Sequence, residues 1–137
     1  MPSVSNYPGA GIILTDLWYI NNLPAAAAVA TASKAAGAAG VRHVMLGACI
    51  SIAAAAAAQP AIAVNIRDGA TGAGTILFSI GVGCIINTCY TLVLPFSAWG
   101  YPLFGTAATA MTIEFAVGGT IVAGAQATVS AWGYDAT

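Results

Sequence analysis

From Val41 onward, large apolar side chains fall on alternate positions of the chain. In PAIAVNIRD, Ile62, Val64 and Ile66 share one parity, and Ala61, Ala63, Asn65 and Arg67 share the other. A period of two is the mark of a half-buried strand. TILFSIG sets Ile76, Phe78 and Ile80 against Thr75, Leu77 and Ser79. INTCYTLVLP puts Ile86, Thr88, Tyr90, Leu92 and Leu94 on one face before Pro95 ends the run. TAMTIEFAV points Thr109, Met111, Ile113, Phe115 and Val117 inward, with Ala110, Thr112 and Glu114 outward. In AQATVSAWGYD, Ala127, Val129 and Ala131 oppose Thr128, Ser130 and Trp132. In VRHVMLGACISI, the inward series is Val44, Leu46, Ala48, Ile50 and Ile52, with Arg42 at its wet end. His43, Met45, Cys49 and Ser51 face the other way.

These segments predict six to eight short strands with turn signals between them. No helical segment of parallel-sheet length alternates with them, so a parallel α/β sheet is not expected. The pattern predicts an all-β protein, an antiparallel β-sandwich or jelly-roll, formed by a single domain over residues 25–137. Residues 25–40 are Ala-rich and leave helix and strand both open; the surrounding strands favour strand. Residues 1–24 carry Pro2, Pro8 and Pro24 and read as an extended N-terminal arm, with room for a short strand at Ile12–Tyr19.

The segment NIRDGATGAG is the one that invites a chemical reading. Its glycines, Gly69, Gly72 and Gly74, follow the order G-x-x-G-x-G. A dinucleotide fingerprint needs G-x-G-x-x-G opening a helix, and a phosphate loop needs G-K-[ST]. Lys34 is the only lysine in the chain, and a strand pattern follows the glycines. Asp68-Gly69 between two alternating strands is a hairpin signal. Asp68 is expected to accept amides of its own turn, and Arg67 to pair with Asp68 or lie over a neighbouring strand.

Catalytic signals are weak. His43 is the single histidine, and no G-x-S-x-G accompanies it. Asp16, Asp68, Glu114 and Asp135 form no paired-carboxylate motif, so no enzyme, catalytic residue or cofactor is expected. Cys49, Cys84 and Cys89 lack a CxxC and read as small buried thiols, with a Cys84–Cys89 bridge left open and no metal site expected.

Composition changes the picture more. Only 5% of the 137 residues are charged, 59% are hydrophobic, net charge is −1, and mean hydropathy is +0.87. No basic face for nucleic acid is present. A small membrane protein is one alternative, but the apolar content is largely Ala, and Lys and Arg do not flank the segments. The N-terminus lacks the basic region of a secretory signal. A soluble surface ordinarily carries roughly 25–35% charged residues, so this one is expected to be covered in an assembly. Candidate anchors are the aromatic residues Tyr7, Trp18 and Tyr19 in the arm, and Trp99 and Tyr101 in the FSAWGYPLFG loop. The alternative for each is packing on its own domain.

Residues 38–83, with G-V-R-H-V-M-L and R-D-G-A-T-G-A-G-T, resemble a small β-domain of tailed-bacteriophage virion proteins. Residues 106–117 and 127–137 are similar to its last two strands. The resemblance implies a virion structural protein, with capsid decoration (cement) as the expected role. Its implied partners are the major capsid protein and copies of itself, as a homo-oligomer such as a trimer. It implies a place on the capsid surface, after assembly in host cytoplasm, with neither nucleic acid nor membrane as a partner. A tail or fibre module that stacks host glycans on Trp99 and Tyr101 is the alternative.

Overall fold

The computed structural model describes residues 16–137, so Tyr7 lies outside the described residues. These form nine strands: β1 (Asp16–Asn22), β2 (Thr31–Lys34), β3 (Arg42–Ala54), β4 (Gln59–Asp68), β5 (Thr75–Cys84), β6 (Thr88–Leu94), β7 (Leu103–Phe104), β8 (Met111–Phe115) and β9 (Gln126–Ala136). Among the described residues there is no helix, and hence none long and apolar enough to cross a membrane.

The pairing follows one rule. β1 pairs with β9, β2 with β8, β3 with β6, and β4 with β5, all antiparallel. Apart from the two-residue β7, the chain therefore doubles back on itself from its two ends towards the β4–β5 turn. That long hairpin is then folded so that β9 also joins β3 and β8 also joins β4. The result is two four-stranded sheets, β1-β9-β3-β6 and β2-β8-β4-β5, with β7 beside β3. This is a jelly-roll, the expected fold.

The core lies between the sheets. Ile50, Ile52, Ala127 and Val129 from one sheet meet Val64, Ile66, Ile113 and Phe115 from the other. Two inner faces about 10 Å apart interdigitate best when large and small side chains alternate, which suits the alanines here.

Several alternations shift where the ladder slips. On β3, Met45 pairs with Gly133 and Gly47 with Trp132, so Leu46 is an extra residue, a β-bulge. The bulge exchanges faces: His43 and Met45 point inward with Ala48, Ile50 and Ile52, contrary to the simple alternation. On β5, Ile76 pairs with Arg67 and Phe78 with Ile66, leaving Leu77 extra and Ile76 on the outer face. Val117 lies beyond the end of β8 and is exposed rather than inward.

Within residues 25–40 the chain forms strand β2 and turns. Residues 16–22 fall in the segment read as an extended arm with room for a short strand. They are the edge strand β1, in unbroken register with β9, and Trp18 is buried in the core.

Candidate functional site

The outer faces of the two sheets differ sharply. On the β2-β8-β4-β5 sheet, the outward residues are mostly polar, with Ile76 among the exceptions. Glu114 has 0% exposure and accepts from Arg67 Nε at 2.5 Å and from the Gly72 backbone N–H at 2.9 Å. Thr112 Oγ1 donates to the Gly69 carbonyl at 2.8 Å, so Ser33 Oγ is the donor to Thr112 Oγ1 at 2.8 Å. The 69–74 turn thus folds back over its own sheet and covers Glu114, which outward parity alone would expose.

The glycines make that fold-back possible. Gly74 has φ +79°, and a Cβ there would overlap the Asp68 carbonyl oxygen. Gly69 and Gly72 also have positive φ. The segment is the expected hairpin, but Asp68 is used differently from expectation. Its carboxylate accepts from Thr106 N at 2.9 Å and Thr106 Oγ1 at 2.5 Å, tying the hairpin to the β7–β8 connection rather than to its own turn. Arg67 takes the second of its two expected places, over the neighbouring strand.

His43, 1% exposed, sits at one end of the core. Its Nε2 donates to the Ala35 carbonyl at 2.7 Å, because a carbonyl oxygen can only accept. Its Nδ1 lies 2.6 Å from Asp135 Oδ1, and Lys34 Nζ is 3.7 Å from Oδ2. Trp18 meets the His43 ring edge-on, with centroids 6.2 Å apart. The cluster ties β2, β3 and β9 together. Cys49, Cys84 and Cys89 are free thiols; Cys49 and Cys84 are half-buried and Cys89 is exposed. Among the described residues no group of His, Cys, Asp and Glu is arranged to hold a metal.

The outer face of the β1-β9-β3-β6 sheet is of another kind. Cross-strand pairing sets Leu17 beside Tyr134, Val44 and Phe104 in one row, and Tyr19 beside Trp132 and Gly47 in the next. Leu17 is 72% exposed and Tyr19 64%, and Val93 and Phe104 are each about half exposed. Trp132 lies over Gly47, where any Cβ would strike its ring. Towards the far end the face turns to Ser51, Thr91, Thr128 and Ser130. Among the described residues its only charge is Arg42, at one end, beside an open cleft.

Charges elsewhere are mostly satisfied inside the chain. Lys34 and His43 face Asp135, Arg67 faces Glu114, and Asp68 holds Thr106. Among the described residues this leaves Asp16 and Arg42, both exposed, and both at the same end of the β1-β9-β3-β6 sheet.

The candidate anchors are separated. Trp18 packs on its own domain, its ring over Gly133. Tyr19 stands on the outer sheet face. Trp99 and Tyr101 lie in the loop after β6, at the opposite edge. There Trp99 packs edge-on to Phe96 (5.9 Å), which packs on Phe78 (5.3 Å), and Tyr101 is 77% exposed. Leu17, Trp132, Tyr134 and Phe104 were not singled out as anchors from the sequence. Their signal was present: Trp132 takes the outward parity of an alternating strand.

No family model matches the chain, and no curated protein matches it. Two solved structures show a distant likeness. One is "Structure of infectious bursal disease virus Gx strain", 12% identical, TM-score 0.30, covering 98% of this chain and 46% of that one. The other is "Structure of infectious bursal disease virus Gt strain", 12% identical, TM-score 0.24, covering 98% and 44%. The chain therefore spans less than half the length of either. Superpositions this loose carry no argument, and the jelly-roll is assigned from strand pairing.

Proposed function

We propose that this chain is a structural protein of a virion, and that in a tailed bacteriophage it decorates and cements the capsid. The observation that carries this reading is the outer face of the β1-β9-β3-β6 sheet. It presents Leu17, Tyr19, Trp132, Tyr134 and Phe104 with, among the described residues, a single charge at its margin. Contiguous apolar surface of this kind marks an interaction site. At about 25 cal/mol per Å² of buried apolar area, a few hundred Å² per contact adds several kcal/mol to a shell that repeats it. The role is mechanical. The resemblance of residues 38–83 to phage virion domains supports the same reading.

The test is the copy number of the chain in purified virions, by quantitative mass spectrometry, with its density located by electron microscopy. Copies in the hundreds, spread evenly over the shell, are expected. A few dozen copies with density only at the tail would overturn decoration. That outcome would favour the tail module, with Trp99 and Tyr101 as its exposed aromatic pair.

A further inference from the structure

We infer that the free edge of β5 pairs with the β5 edge of a second copy of this chain, antiparallel, about a two-fold axis through Gly81. The β2-β8-β4-β5 sheet then continues across both copies. This contact uses a different surface from the β1-β9-β3-β6 face and stands apart from the virion reading.

The four edges of the sandwich are not alike. β1 and β2 lie on one side, where β1 carries Asp16 and the four-residue β2 carries Lys34. β5 and β6 lie on the other, and no charged residue occurs between Asp68 and Glu114. Charge, proline and brevity are the usual protections of an exposed edge. β5 has ten residues and neither charge nor proline. β6 is shorter and stops at Pro95. An uncharged edge of this length invites another strand, and the strand that matches its lack of charge is its own copy.

The ladder shows which groups face that strand. Ala63 accepts from the Ala116 N–H, so here the odd-numbered residues of β4 turn their main chain towards β8. Ile62 and Val64 turn theirs towards β5, where they meet Val82 and Ile80. Along β5, Phe78, Ile80 and Val82 are therefore bonded inward. Ser79, Gly81 and Gly83 present their main-chain N–H and C=O groups to the outside, and among the described residues nothing bonds to those groups.

The register follows. A bulge at Leu77 confines the regular edge to residues 78–84, and Gly81 is the midpoint. With the axis there, Gly81 pairs with its own copy, and Ser79 pairs with Gly83 in both directions. Every outward group is then used. On the inner parity Ile80 comes opposite Val82, a pair of β-branched side chains, and Ile80 is only half-buried in the single chain. On the outer parity Ser79, Gly81 and Gly83 are small. Gly81 has no other explanation within its chain, because its φ is not positive and nothing lies within 4 Å of a Cβ built on it. Glycine inside a strand marks a place where another backbone comes close.

The test uses the full chain in sedimentation equilibrium up to about 500 μM. A contact one strand long belongs with the weak interfaces, with Kd on the order of 10–100 μM. A species of twice the 13.5 kDa chain mass is expected. Gly81→Lys and Gly81→Glu should each weaken association by about tenfold or more, because either sets like charges face to face on the axis. Both should keep the circular dichroism spectrum of the unaltered chain, since the space around Gly81 is open. Mixing the two variants should recover association to within about threefold of the unaltered chain. Amide exchange is the second readout. At Ser79, Gly81 and Gly83 it should slow by about threefold or more between about 10 and about 500 μM, and at Ile80 and Val82 it should be slow throughout.

A monomer at about 500 μM, a trimer, a dimer indifferent to Gly81→Lys, or a mixture without recovery would each overturn the inference. Exchange at Ser79 and Gly81 that ignores concentration would do the same. So would protection of those amides in the virion alone, which gives the edge to a strand of another protein. None of these outcomes touches the copy number on which the virion reading is tested.

Discussion

Arg67 donates its Nε hydrogen to Glu114 Oε1 at 2.5 Å across the outer face of the β2-β8-β4-β5 sheet, and Glu114 is completely buried. The hairpin loop provides the cover, with Gly72 N–H on the second carboxylate oxygen. Removing one member of a buried pair strands the other. Arg67→Ala should therefore cost about 3 kcal/mol in urea unfolding. The double change Arg67→Ala/Glu114→Ala should cost less than the two single changes added together, with a coupling of about 2 kcal/mol. Additive losses would show that the pair does not hold the loop.

Gly74 and Gly100 both have positive φ, but they differ in surroundings. A Cβ on Gly74 meets the Asp68 carbonyl oxygen, whereas nothing lies within 4 Å of one on Gly100. Gly100→Ala should cost about 1–2 kcal/mol, the backbone term alone. Gly74→Ala should cost at least about 2 kcal/mol more, because backbone must move as well. Thermal unfolding of the two variants, measured side by side, checks the order.

Asp68 holds the β7–β8 connection through Thr106. Asp68→Ala should lower stability by about 1–3 kcal/mol. Its local signature is faster hydrogen exchange at the Thr106 amide. An unchanged exchange rate there would show that the bond contributes nothing.

Gly133 and Gly81 make a second contrast. A Cβ on Gly133 would run into the Val44 carbonyl oxygen and the Trp18 ring, while the space around Gly81 is open. Gly133→Ala should cost about 3 kcal/mol or more and shift the near-ultraviolet signal of Trp18. Gly81→Ala, in a strand with a free edge, should be neutral or stabilising by about 0.5 kcal/mol.

The hairpin was legible at 65–74 because the glycines and the flanking alternation are both local signals. The use of Asp68 and Arg67 was not, because their partners, Thr106 and Glu114, are 38 and 47 residues away. The aromatic sheet face was legible only in part. Tyr19 was singled out, yet Leu17, Trp132, Tyr134 and Phe104 join it only when β1, β9, β3 and β7 lie side by side.

The sequence by itself determined the all-β class, the positions of most strands and the scarcity of charge, since a period of two and composition are properties of single segments. The tertiary structure decided which way those segments face. One extra residue at Leu46 turns His43 and Met45 inward, and the pairing partner alone reveals it. It also decided between the two readings of Trp18, seating β1 on the edge of β9 and the indole in the core, where its burial is strongly favourable. Glu114 reads as an outward residue until the loop folds back and supplies the two donors that make its burial tolerable.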